Sequence, residues 1–134
     1  EIGRRPEHVG LADKADLLVI APATANILGK AAAGIADDPL STTFLAVDAP
    51  VLFCPAMNDR MWRHPAVKEN VRRLAAMGCR FLGPEKGPLA CGCVGMGRMS
   101  EVPAILARIR EILGGKRSVR TARKGRSPGP LRRR

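Results

Sequence analysis

Two runs of apolar residues with no polar face, Leu17 to Ala21 and Val51 to Cys54, frame this 134-residue chain. Such runs mark strands buried on both sides, as in parallel sheets. Asp16 opens the first, and each is followed at once by a proline, Pro22 and Pro55, which cannot donate to a ladder and reads as the strand's stop. Between and after them the period becomes helical. Thr24 caps an alanine-rich helix over Ile27 to Gly34, with Gly34 as its end. Asp37 or Asp38 caps a second helix, with Pro39 in its first turn, running through Ala46. Pro65 to Met77 carries Val67, Val71, Leu74 and Ala75 on one face and ends at Gly78, and Cys79 to Leu82 is a short strand. A shorter amphipathic turn lies between Pro6 and Ala15, with His8, Leu11 and Ala12 at helical spacing. The alternation predicts an α/β fold with a parallel sheet flanked by helices.

Gly83 to Arg98 breaks this rhythm with five glycines and two prolines, and reads as a long loop of the functional kind. Ser100 and Glu101 then open a last amphipathic helix, with Ile105, Leu106, Ile109 and Ile112 on one face and a stop at Gly114-Gly115. From Lys116 the pattern is lost.

The net charge of +11 suggests nucleic acid until it is located. Nine of the 23 basic residues fall after Gly114 with no acid among them, leaving 14 against 12 acids and a body of only +2. With 3% aromatic residues and no tyrosine, base-stacking modules are poorly supported, so a nucleic-acid partner is not expected of the body. No apolar run reaches membrane-spanning length. Four cysteines beside a sizeable core suggest reduced thiols in a cytoplasmic setting.

Candidate chemistry gathers where strands end. Pro55-Ala-Met-Asn58 delivers a polar amide beyond a strand's carboxyl end, where open parallel sheets bind ligands, and an asparagine can hold a carboxylate or amide without a change of charge. A plain turn built on Pro55 and Asn58 is the competing reading. Thr24 and the amides after it make an anion-friendly helix start, or simply a cap. Adjacent Asp37 and Asp38 suit capping better than metal binding, because neighbours in sequence point apart. Cys91-Gly-Cys93 could be half a zinc site, but no second pair accompanies it, so no metal is expected. A disulfide between Cys91 and Cys93 would close a very short, strained loop. The functional alternative is a glycine-hinged flap carrying a thiol over a pocket, able to give a proton to a bound intermediate.

Four motifs occur in order from about His8 to Leu113: Asp16-Leu-Leu-Val-Ile-Ala-Pro-Ala-Thr-Ala-Asn26, Gly34-Ile-Ala-Asp-Asp38, Pro55-Ala-Met-Asn-Asp-Arg-Met-Trp62, and Gly87-Pro-Leu-Ala-Cys-Gly92 with Gly97-Arg-Met99. Together they resemble the flavin-dependent cysteine decarboxylases, Rossmann-like flavoproteins. The resemblance implies FMN as cofactor, contacted by Ala23, Thr24, Ala25 and Asn26. It implies His8 and Asn58 as catalytic residues and Cys91 as the cysteine of the substrate flap, with Ala56, Met57, Asn58, Met61 and Trp62 forming the substrate motif. The nearest branch decarboxylates the small molecule 4′-phosphopantothenoylcysteine to 4′-phosphopantetheine in coenzyme A synthesis. There FMN takes a hydride equivalent from the substrate's CH₂–S, the resulting thioaldehyde lets CO₂ leave, and the enethiolate is reduced again with a proton from Cys91. Relatives that make peptide enethiols stop half-way and lack the flap cysteine, so Cys91 favours the full cycle. A decarboxylase of a peptide C-terminal cysteine and a non-catalytic, flavoprotein-like regulatory subunit remain the alternatives.

The resemblance further implies a homotrimer or higher homo-oligomer. The family's first strand and a glycine- and serine-containing flavin loop would precede His8, so the chain is expected to start inside the domain, with residues 1–113 as its later portion. Residues 114–134 are expected to be a basic, disordered tail. Gly115-Lys116-Arg117 resembles the start of a following synthetase half, and the Arg, Gly, Ser and Pro beyond it suggest a shifted reading frame.

Overall fold

The computed structural model describes the backbone of residues 7–124 and the side chains of residues 10–115. Its elements follow as α1 (Glu7–Lys14), β1 (Leu18–Ala23), α2 (Ala25–Ala33), α3 (Pro39–Ala46), β2 (Val51–Pro55), α4 (Asp59–Arg63), α5 (Pro65–Ala76), β3 (Arg80–Phe81), β4 (Glu85–Pro88), β5 (Val94–Arg98) and α6 (Val102–Lys124). Strands β1, β2 and β3 form a parallel sheet in that order, and β4 and β5 form an antiparallel hairpin. Among the described residues no helix is long and apolar enough to cross a membrane.

The sheet is covered on both faces, and β2 shows why its sequence has no polar alternation. Val51 and Phe53 enter one cluster with Ile20, Ile27, Leu28 and Leu74, while Leu52 and Cys54 enter another with Ile105 and Ile112 of α6. All five residues of β2 are buried. The chain's three phenylalanines meet in the first cluster: the Phe53 ring stacks on Phe81 at 5.3 Å and lies tilted against Phe44 at 5.7 Å.

Local chemistry places the helix starts where the pattern predicts. The Thr24 hydroxyl accepts from Ile27 N–H at the head of α2, and Gly34 ends that helix in a left-handed cap. Asp38 caps α3 through a reciprocal pair, its carboxylate accepting from Ser41 N–H at 2.7 Å while the Ser41 hydroxyl accepts from Asp38 N–H at 3.1 Å. Lys30 of α2 sits 2.8 Å from both Asp37 and Asp38, tying the two helices together.

Three expectations are corrected. Pro22 lies inside β1 rather than ending it, because the pairing register breaks between Ile20 and Ala23 and the missing N–H falls where no regular pair is made. The segment after Gly83 is not a loop but the β4–β5 hairpin, held by backbone pairing that hydrophobic periodicity does not report. The last helix does not stop at Gly114-Gly115: its backbone stays helical through Lys124, since a helical glycine costs only about 1 kcal/mol and no proline follows until Pro128. The remainder of the basic tail, residues 125–134, lies outside the described residues.

Truncating the residue that joins all three rings has a defined cost. Phe53→Ala is expected to remove about 3–5 kcal/mol of stability, read as a lower urea midpoint with an unchanged slope.

The Lys30 ammonium and the Ser41 N–H hold the Asp38 carboxyl well below the usual carboxylate range. A carboxyl depressed in the folded state stabilises the fold above its unfolded pKa, and that contribution is lost as pH falls through the folded value. Asp38→Asn keeps a capping oxygen and removes the charge. The melting-temperature gap between the native chain and this variant is therefore expected at neutral pH and should close as pH falls below roughly 4. A gap of equal size in acid would show that the charge is not its source.

Candidate active site

The sheet's carboxyl edge carries a loop pinned on two sides. After β2 the Ala56 N–H donates to Ala23 O at 3.0 Å, at the end of β1, and the Met57 N–H donates to Gly97 O at 2.9 Å, on β5. The close approach to β5 requires glycine: Gly97 has φ +153°, and a Cβ built there would run into the Met57 carbonyl oxygen. Held this way, Asn58 caps the short helix α4, its side-chain oxygen accepting from Arg60 N–H at 2.8 Å. The oxygen is thus committed to the backbone, and the amide's N–H donors remain for an acceptor such as a carboxylate.

The hairpin and this loop together border a half-open cavity of about 360 Å³. Ala56, Met57 and Asn58 line it from below, and Leu89, Ala90 and Cys91 from the hairpin tip, with Arg98 and Met99 closing one side. Arg98 is ion-paired with Glu101 beyond it. Of the substrate-motif residues named from the sequence, the structure gathers Ala56, Met57 and Asn58 with Cys91. Met61 and Trp62 do not line this cavity; the Trp62 ring instead carries the Lys68 ammonium 4.0 Å from its centroid. Sequence reasoning gave no role to Arg98 or Met99 or to the Gly97 junction. A glycine alternating with larger residues after the cysteine was the available sign of close backbone approach.

Ala23, Thr24, Ala25 and Asn26 form the turn from β1 into α2; none of them lines this cavity, and the turn is linked to it through the Ala56 N–H bond to Ala23 O. Ala23 is buried, and Thr24 and Asn26 are exposed at the helix head. The chemistry of this turn fits one edge of a flavin: small side chains leave a flat surface, while the Thr24 hydroxyl, the Asn26 amide and unpaired amides of the first turn offer hydrogen bonds to ring carbonyls or phosphate. His8 lies on the backbone of α1, and its side chain is outside the described residues.

Contrary to the expectation of four reduced cysteines, Cys91 and Cys93 are joined by a disulfide. The turn makes this possible. Gly92 adopts φ +80°, the Leu89 N–H donates to Cys93 O at 2.8 Å, and the two Cα atoms come within 5.5 Å, inside the range a disulfide spans. Cys54 and Cys79 are free thiols, and burial raises the pKa of both.

The Flavoprotein family model matches residues 1–114. The chain belongs to the flavoprotein family. The coenzyme A biosynthesis bifunctional protein CoaBC of Bacillus subtilis is 53% identical over 104 residues, covering 78% of this chain and 25% of that protein. Among solved structures, a cysteine-to-serine mutant of PPC decarboxylase complexed with pantothenoylaminoethenethiol superposes with a TM-score of 0.82 at 37% identity, covering 85% of this chain and 64% of that one. The FMN-dependent cysteine decarboxylase SpaF superposes with a TM-score of 0.66 at 40% identity, covering 84% and 61%. This flavoprotein chain therefore spans about a quarter of the length of the curated relative it matches.

The Met57–Gly97 junction generates a direct test. Gly97→Ala is expected to push β5 off the Asn58 loop while leaving the sheet intact, seen as faster amide exchange at Met57 and along the hairpin with unchanged protection in β2. Unchanged exchange at Met57 would show that the junction does not hold the loop.

Proposed function

We infer that this chain is the later portion of an FMN-dependent decarboxylase acting on 4′-phosphopantothenoylcysteine in coenzyme A synthesis. The observation that carries the reading is that Asn58 and Cys91 line one cavity at the carboxyl edge of the sheet, next to Ala56, whose N–H donates to Ala23 O. A cysteine-terminated substrate presents two groups there, a carboxylate to be lost and a carbon to be protonated, and the two residues match them.

Asn58 donates to the substrate carboxylate, since its oxygen is already bound in the α4 cap. A neutral donor holds the carboxylate without the ion pair a cation would form, which would resist the loss of charge as CO₂ leaves. Ala23, Thr24, Ala25 and Asn26 would hold FMN, which when bound would supply an acceptor and donor for a hydride equivalent. Cys91 in its reduced form gives a proton to the carbon of the enethiolate, and the hairpin over the cavity keeps water from competing. His8 serves as a catalytic acid or base from α1, and Met61 and Trp62 extend the substrate-binding surface. The working protein is a homotrimer or higher homo-oligomer in the cytoplasm, with residues 1–113 as its flavoprotein portion and 114–134 as a basic appendage.

Cys91 separates the two halves of the reaction. In an FMN-loaded preparation under reducing conditions, Cys91→Ser is expected to release CO₂ but to lower formation of the saturated aminoethanethiol by about 10²-fold or more, with the enethiol, lighter by one H₂, accumulating. Product mass spectrometry reads this directly. Undiminished saturated product would remove Cys91 from the proton-donor role, and absence of CO₂ with the native chain would overturn the reading as a whole.

A further inference from the structure

Cys93 is given no role in the proposed reaction, yet it is bonded to Cys91, the residue proposed as its proton donor. Both cysteines are exposed at the hairpin tip, and Gly92 between them takes the left-handed conformation that turns their Cα atoms to within 5.5 Å. The Leu89 N–H bond to Cys93 O and the Gly92 N–H bond to Leu89 O, at 2.8 and 2.9 Å, close the turn through backbone groups that do not involve the sulfurs. A second cavity of about 460 Å³ borders the pair on its outer side, lined by Asn58, Asp59, Arg60, Arg63 and Val94 beside the two cysteines. It admits a small thiol or disulfide to both sulfurs. Arg60 and Arg63 stand on its wall, the latter paired with Asp59 at 2.9 Å, and the thiolate is the attacking form in exchange. Cys54, by contrast, is buried beneath α6, and Cys79 is half-buried.

We propose that Cys91 and Cys93 form a reversible thiol–disulfide couple, exchanging with small-molecule disulfides, that withdraws the flap's proton donor when it oxidises. The thiolate of one cysteine attacks a sulfur of the small disulfide RSSR, forming a mixed disulfide and expelling RS⁻. The other cysteine then attacks the protein sulfur of that mixed disulfide, forming the Cys91–Cys93 bond and expelling a second RS⁻. Two protein thiols are oxidised by two electrons, RSSR is reduced to two RSH, and the protons of the two cysteines end on the leaving thiolates. A disulfide sulfur has no S–H to give, so the oxidised flap covers the cavity but cannot protonate what is in it. The couple itself stands on the turn, and only its consequence for catalysis rests on the function proposed above.

Trypsin, cutting after Lys86 and Arg98, isolates Cys91 and Cys93 in one peptide that contains neither Cys54 nor Cys79. The full chain is equilibrated with hydroxyethyl disulfide and its thiol, alkylated with iodoacetamide, digested and weighed. Expected is a Gly87–Arg98 peptide without alkyl groups and lighter by two hydrogens, taking two alkyl groups after dithiothreitol. In Cys93→Ser the same buffer leaves Cys91 free to alkylate, and about 10-fold more disulfide is needed to block it, because no second cysteine completes the exchange. In the FMN-loaded protein, saturated product should fall with oxidation and return with dithiothreitol, and Cys93→Ser should keep full activity in the buffer that silences the native chain. A native peptide alkylated twice throughout, or stopped at the mixed disulfide, overturns the couple and leaves Cys91's catalytic role untouched. A disulfide that forms without loss of saturated product overturns the switch together with that role.

Discussion

The burial of β2 on both faces is the constraint on which the rest of the molecule depends. With Val51 and Phe53 packed against α2 and α5, and Leu52 and Cys54 packed against α6, the strand has no freedom to slip. A shift of one residue would exchange the contents of the two cores, putting the Phe53 ring among the α6 isoleucines and leaving Phe44 and Phe81 without their partner. The register of β2 therefore fixes where the chain leaves the sheet, and so where Asn58 stands. Positional accuracy at the candidate site is inherited from packing some residues away, which is how a loop residue can be held closely enough for chemistry.

The hairpin is anchored differently. It shares little apolar core with the sheet, and its hold on the Asn58 loop is the backbone bond from Met57 to Gly97, which glycine alone permits at that distance. Such an anchor is directional and local. It sets the spacing between Met57 and β5 while leaving the tip beyond Leu89 to be organised by its own turn. The ion pair of Arg98 with Glu101 links the same strand to the residue just before α6.

What could be read from the amino-acid order followed the range of the interaction responsible. Caps were legible because the Asp38–Ser41 and Thr24–Ile27 contacts span three residues and use side chains suited to them. The two apolar runs were legible because burial on both faces leaves no polar position to confuse the pattern. Pro22 misled because a proline's missing N–H matters only where a pair would form, and the β1 register breaks there. The hairpin was invisible because its cohesion lies in backbone groups, and a segment of glycine and proline shows no period. At the site, Asn58 and Cys91 were visible as members of spaced motifs, but that Gly97 joins their two segments was not, since nothing in a lone glycine names the carbonyl it must approach. Met61 and Trp62 share a motif with Asn58, yet the helical turn of α4 carries them past the cavity wall.

The disulfide follows the same logic of range. Two cysteines separated by one residue are brought to a Cα distance of 5.5 Å by the glycine between them, which takes the left-handed region. The turn that permits it is closed by Leu89, whose side chain lines the cavity beside Cys91. Closure of the tip and presentation of the Cys91 sulfur are therefore one structural event. The same turn that puts Cys91 on the cavity wall puts it next to Cys93.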